Sequence, residues 1–250
     1  MKLFLPFLCS LLAADAFEIV APQSSLDAWV QQAARKRSKG FQKDVSLMLD
    51  TRIIGGGDAP AGRYPYYTYV ELTTGDGEVF ICSATLIWED VIMTAAHCVL
   101  DILGSGATIQ NVEAFVGLES QDLRDDAQFS AIGISFPHPN FNTDTEQNDI
   151  MLLKLVTPST ITPVQLNFDA GLPADGTTVD VFGFGVNSTD PGAALPTILQ
   201  TVSLSVVPFA DCNDANSFGG FLNVTVMMCA GVPAGGKVNY VCDYVMIVQS

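Results

Sequence analysis

Positive charge is scarce in this chain, and most of it sits in one place. The 250 residues carry 11 Lys and Arg against 27 Asp and Glu, a net charge of −16. Six of the basic residues (Arg35, Lys36, Arg37, Lys39, Lys43, Arg52) fall between positions 35 and 52. From Ile53 onward only Arg63, Arg124, Lys154 and Lys237 stand against twenty-two acidic residues. So few cations argue against nucleic-acid binding, which needs clustered positive charge. Histidine is scarcer still, with His97 and His138 the only two, too few for a multi-histidine metal site. No run past the N-terminus is long and apolar enough to cross about 30 Å of hydrocarbon. There is no internal repeat and no low-complexity tract. Charged residues make up 15% of the chain and hydrophobic ones 48%, which excludes a disordered chain. The length suits one large domain or two small ones.

The N-terminus reads as a signal peptide over residues 1–16. Met1-Lys2 gives a short basic start, an apolar run continues to Leu12, and Ala14-Asp15-Ala16 is a small-residue cleavage site before Phe17. A secreted, extracellular protein with no membrane attachment after signal removal is expected. Of six cysteines, Cys9 leaves with the leader. The remaining five are an odd number in a compartment that permits disulfides.

Residues 17–52 differ in texture from the rest of the chain. Ser24-Ser25 can cap a short helix carrying Leu26, Trp29, Val30 and Ala33 on one face. The basic stretch Arg35-Lys36-Arg37-Ser38-Lys39 reads equally as a solvated linker or as part of a pro-segment folding on an acidic body. The segment carries +2 (six basic, four acidic) against −18 for the remainder (four basic, twenty-two acidic), and opposite signs favour association.

From Ile53 the texture is all-β. Tyr66 to Leu72, Val79 to Trp88, Val112 to Val116, Phe129 to Phe136, Ile150 to Leu155, Thr178 to Phe184 and Leu199 to Val206 are rich in β-branched and aromatic residues. Turn clusters such as Thr74-Gly75-Asp76-Gly77 and Asp175-Gly176 separate them. No helical crossover of adequate length intervenes, so barrels or sandwiches are expected.

Three segments carry chemistry. Thr94-Ala95-Ala96-His97-Cys98 comes after the strand-like Val91-Ile92-Met93, and Cys82 lies sixteen positions before Cys98. A disulfide between them would pin the histidine and contribute about 3 kcal/mol in the loop-entropy view. Alone, His97 reads as well as a core histidine or a metal ligand. In Asn148-Asp149-Ile150-Met151-Leu152-Leu153 a carboxylate opens an apolar strand, where an ionised group needs partners. An imidazole N–H would serve, and local backbone amides would serve as well. In Arg52-Ile53-Ile54-Gly55-Gly56 a basic residue precedes an apolar pair. Cleavage there would free an ammonium on Ile53, whose side chain could plug a pocket.

Together these stretches resemble the trypsin/chymotrypsin serine proteases, over roughly Arg52 to Lys237. Val181-Phe182-Gly183-Phe184-Gly185 and Met228-Cys229-Ala230-Gly231 add to the likeness. The resemblance implies an all-β fold of two packed antiparallel six-stranded barrels, with the site in the cleft between them. The barrels would span about 53–160 and 161–237. It implies His97 as general base, Asp149 as its orienting carboxylate, and a disulfide between Cys212 and Cys229 beside Cys82–Cys98. It implies activation between Arg52 and Ile53 by a trypsin-like protease, protein or peptide substrates, a monomer, and no cofactor or metal. Asn187 and Asn223 open N-x-S/T sequons for glycosylation. The loop holding His138 resembles an ordinary surface loop of the family.

The likeness breaks after Lys237. There the family reaches a cysteine and G-D-S-G-G-P, which supplies the nucleophile, the oxyanion hole and the acceptor of the Ile53 amine. This chain reads Val238-Asn239-Tyr240-Val241-Cys242-Asp243-Tyr244-Val245-Met246-Ile247-Val248-Gln249-Ser250. Residues 238–250 are expected to be a non-family tail, from read-through of an unspliced intron or from an incorrect gene model, with Cys242 the unpaired thiol. The second barrel is expected to be incomplete. Ser217-Phe218-Gly219-Gly220 lacks the preceding Gly-Asp and is rejected as a displaced nucleophile loop. Two functions remain: a secreted serine endopeptidase whose serine segment is absent here, or a catalytically dead homologue that binds or inhibits. A lectin-like or structural β protein leaves His97, Asp149 and the activation sequence unexplained.

Overall fold

The computed structural model describes residues 2–4, 53, 55–169, 171, 173–188, 190, 193–231, 240–241 and 246–249. The expected signal cleavage site and pro-segment, Arg52 and Cys242 lie outside these residues. The described strands are β1 (Lys2–Phe4), β2 (Gly57–Asp58), β3 (Tyr67–Thr74), β4 (Val79–Trp88), β5 (Val91–Thr94), β6 (Ile109–Val116) and β7 (Gln128–Pro137). After them come β8 (Met151–Leu155), β9 (Gln165–Asn167), β10 (Thr178–Gly183), β11 (Gln200–Val207), β12 (Cys229–Gly231), β13 (Tyr240–Val241) and β14 (Met246–Gln249). Among the described residues the protein is all-β apart from short helices at His97–Gly104 and Phe209–Cys212 and a 3-10 segment at Gln121–Asp126.

The chain divides into two units. One is a closed antiparallel barrel of six strands in the order β3-β4-β5-β8-β7-β6. Period-two alternation builds its interior, because successive side chains of a strand face opposite ways. In β8, Met151, Leu153 and Leu155 are buried while Leu152 and Lys154 are not. Val70 and Leu72 of β3, Leu86 of β4, Ile92 of β5 and Ala114 of β6 are also buried. Each fully buried aliphatic side chain contributes about 1.5–3 kcal/mol against leaving it in water.

The other unit contains residues 51–63 and 164–250 together with the extreme N-terminus. The expected boundaries shift accordingly. Residues 53–63 belong with this unit and not with the first barrel, because Gly57–Asp58 pairs with Gln200 and Thr201 and the Ala59 N–H donates to Leu199 O at 2.7 Å. The other edge of this unit falls between 163 and 164, beside the expected boundary at about 160.

The sheet of this second unit runs β13-β12-β11-β10-β14-β1-β9, with β2 on β11, and no pairing among the described residues closes it into a barrel. Within the expected tail, Met246–Gln249 pairs antiparallel with β10, and Lys2–Phe4 bridges it to β9. Val179, Val181, Leu204, Val206 and Ala230 form the main apolar cluster. Asp180, buried between Val179 and Val181 in the chain but on the other face of β10, accepts from Arg63 at 3.2 Å and from Ser203 Oγ at 2.7 Å, so its charge is compensated.

Candidate active site

The histidine is placed by the end of one strand and the start of one helix. β5 pairs with β8 through Thr94↔Met151, so the two segments that leave those strand ends emerge side by side. The first runs Ala95-Ala96 into the helix His97–Gly104, where Ala96 is fully buried and leaves room for close packing. Thr94 Oγ donates to Ser83 O at 2.8 Å and fixes the strand end. The second segment is the turn that leads into β8. It is bent by left-handed backbone at Glu146 (φ 55°) and Asn148 (φ 58°), the latter a residue type that tolerates this region.

These bends bring Asp149 onto His97 with two contacts. Asp149 Oδ1 accepts the backbone N–H of His97 at 2.8 Å, and Oδ2 lies 2.7 Å from His97 Nδ1. The first N–H groups of a helix have no partner inside it, and its N-terminus carries partial positive charge. A carboxylate there satisfies one such group and gains from the dipole. The Asp149 side chain is 1% exposed and that of His97 is 16% exposed. An ionised carboxylate only accepts, so beside one the neutral ring carries its proton on Nδ1 and its basic lone pair on Nε2.

A disulfide joins Cys82 of β4 to Cys98, the residue after the histidine, with Cα atoms 6.3 Å apart. His97 Nε2 lies 3.6 Å from Cys98 Sγ. In the second unit a disulfide joins Cys212 to Cys229. Ile53 is buried, and its N–H donates to Val186 O at 2.8 Å. Gly56 leaves no room for a side chain: a Cβ there would lie 2.7 Å from both Ile53 Cγ2 and Thr201 O.

The remaining expected positions scatter. His138 sits where β7 gives way to the next loop, and burial pushes its pKa below the ordinary histidine value. Asn187 is exposed and donates from Nδ2 to Gln200 at 2.9 Å. Asn223 Oδ1 accepts from Thr225 N–H and Oγ in a local turn. One cluster carried no signal in the sequence. Arg124 lies 5.1 Å from the ring centres of both Tyr69 and Phe115 and binds Glu71 at 2.8 Å. It joins residues more than fifty positions apart, so no local pattern could announce it.

The family profile described as Trypsin matches residues 53–243. Trypsin-1 of Astacus astacus is 32% identical over 192 residues, covering 74% of this chain and 77% of that protein. Trypsin of Sus scrofa is 30% identical, with 75% of each covered. Kallikrein-14 of Homo sapiens is 32% identical, covering 75% of this chain and 66% of that protein. A solved structure, "Structure of GrC", superposes with a TM-score of 0.62 at 27% identity and covers 72% of this chain and 75% of that one. The chain belongs to the trypsin family of serine proteases. The family match extends past Lys237 to residue 243 and so reaches six residues into the expected tail.

Proposed function

We propose that the chain comes from a serine endopeptidase of this family made as a secreted zymogen, its serine segment absent from these 250 residues, with His97 as general base and Asp149 as the group that orients it. The observation that carries this is the double contact of buried Asp149 with the backbone and ring of His97. A general base needs its proton-accepting nitrogen fixed in position and tautomer. The carboxylate supplies both, and it stabilises the imidazolium that forms when the proton arrives. Residues 1–16 serve as the leader and residues 17–52 as the pro-segment. A trypsin-like protease cuts after Arg52 and frees the Ile53 amine. Protein or peptide chains are the substrates, and the bond specificity is left unassigned.

The 250 residues contain no G-D-S-G-G-P, and these residues as given are expected to hydrolyse no amide. In the subtilisin triad, removing the serine alone lowers kcat about 10⁶-fold. That same absence favours the second reading, a catalytically dead homologue acting as a secreted binding or inhibitory protein. The transcript separates the two. A message whose spliced reading continues from Lys237 into G-D-S-G-G-P supports the endopeptidase. A continuous message encoding residues 238–250 without that motif supports the dead homologue. For the 250-residue chain cut after Arg52, an organophosphonate probe should label no serine, and stoichiometric labelling would refute inactivity.

A further inference from the structure

We propose that reduction of the Cys82–Cys98 disulfide converts the histidine site into a zinc site, with Cys82 Sγ, Cys98 Sγ and His97 Nε2 as ligands. The three ligand atoms already lie within 4.8 Å of one another. Tetrahedral zinc has Zn–S near 2.3 Å and Zn–N near 2.0–2.1 Å, which sets the S···N edge at about 3.6 Å and the S···S edge at about 3.8 Å. The Nε2 to Cys98 Sγ separation is 3.6 Å, so one edge of the tetrahedron exists before any metal arrives. The other requirement is that the two sulfurs part from bonding distance, about 2.05 Å, to about 3.8 Å. Breaking their bond permits this.

The chemistry balances with a dithiol as reductant. It delivers two electrons and two protons, the S–S bond breaks, two cysteine thiols form, and the dithiol closes to its own cyclic disulfide. Zn²⁺ then displaces both thiol protons and accepts the Nε2 lone pair, giving a Cys2His set with water in the fourth position. Two thiolates neutralise the ion. Asp149 holds Nδ1–H at 2.7 Å, which is the carboxylate–histidine–metal arrangement that orients zinc-bound imidazoles and raises their basicity. His97 keeps some access to solvent, with its side chain 16% exposed, so an ion can enter. Where His97 acts as a general base, the metal takes the nitrogen that base needs, so zinc binding and proteolysis exclude each other. The site itself does not depend on that reading.

The test uses the full chain, reduced with a dithiol and desalted without oxygen, with Co²⁺ as spectroscopic probe and Zn²⁺ as competitor. The reduced chain should take one tight equivalent of Co²⁺ with intense visible bands of a tetrahedral thiolate site, and Zn²⁺ should abolish them. The oxidised chain should show none. His97→Ala should weaken Zn²⁺ binding at least about 10-fold, and Asp149→Asn about 10- to 100-fold. Cys212→Ser, which removes a thiol of the second unit, should leave affinity unchanged. Failure to bind, equal affinity in His97→Ala, or loss in Cys212→Ser overturns the proposal. A reduced chain that has lost its barrel would bind through thiols alone and fall under the second of these outcomes.

Discussion

Asp149 accepts from the backbone N–H of His97 as well as standing 2.7 Å from its ring, so one buried carboxylate both caps a helix and fixes a histidine. The two contacts separate by substitution. His97→Ala keeps the backbone donor and removes the ring, leaving one oxygen of a buried carboxylate unsatisfied. The barrel should lose about 1–3 kcal/mol, read from urea unfolding. Asp149→Ala removes both acceptors and should cost more than His97→Ala. Equal costs would show that the backbone contact contributes nothing.

Arg124 should behave as a packing residue more than as a charge. Its guanidinium lies 5.1 Å from two ring centres and binds Glu71 at 2.8 Å. Cation–π contacts at such sites are worth about 0.5–1 kcal/mol each, so Arg124→Ala should destabilise the barrel by about 1–2 kcal/mol. Arg124→Lys should recover only part, because an ammonium cannot stack as a plane over both rings. Urea midpoints of the two variants decide it.

His138 should give the barrel a small pH dependence. Burial lowers its pKa below the ordinary 6.5, and the Asn140 N–H donates to Nδ1 at 3.2 Å, which also favours the neutral ring. The unfolded chain therefore binds the proton first as pH falls. Stability from this group is complete well above about pH 6.5 and declines as pH drops through that value toward the lowered one. His138→Gln should flatten the dependence between about pH 7.5 and 5; an unchanged slope counts against a neutral folded ring.

Gly56→Ala should disturb the second unit. The new methyl would meet Ile53 Cγ2 and the Thr201 carbonyl, each 2.7 Å away. Such overpacking costs about 1–3 kcal/mol. Thermal unfolding followed by near-UV dichroism reads it, and no change would show that the Ile53 segment yields freely.

Much of this fold was legible because its strands are long and alternate. Val79–Trp88 falls where the residue pattern places it, and the expected strands at 66–72, 129–136 and 199–206 each shift by a residue or two at their ends. Gly57–Asp58, Gln165–Asn167 and Cys229–Gly231 were not legible as strands, since two or three residues show no period. His97 and Asp149 were legible as a pair through their flanking motifs, whereas the backbone contact between them is a property of the helix start. The membership of residues 53–63 in the second unit depends on pairing of Gly57–Asp58 with Gln200 and Thr201, far along the chain. No local pattern carries information over that span.

The candidate site rests on Asp149 holding His97 with its proton on Nδ1 and its basic lone pair on Nε2. Nitrogen NMR of the imidazole rings reads that state, and with two histidines in the chain His138→Gln leaves one signal pair to assign. The neutral His97 ring should be the Nδ1-protonated tautomer, shifting toward Nε2 protonation in Asp149→Asn. An Nε2-protonated ring in the unsubstituted protein, or a tautomer indifferent to Asp149→Asn, would show that Asp149 does not set the state of His97.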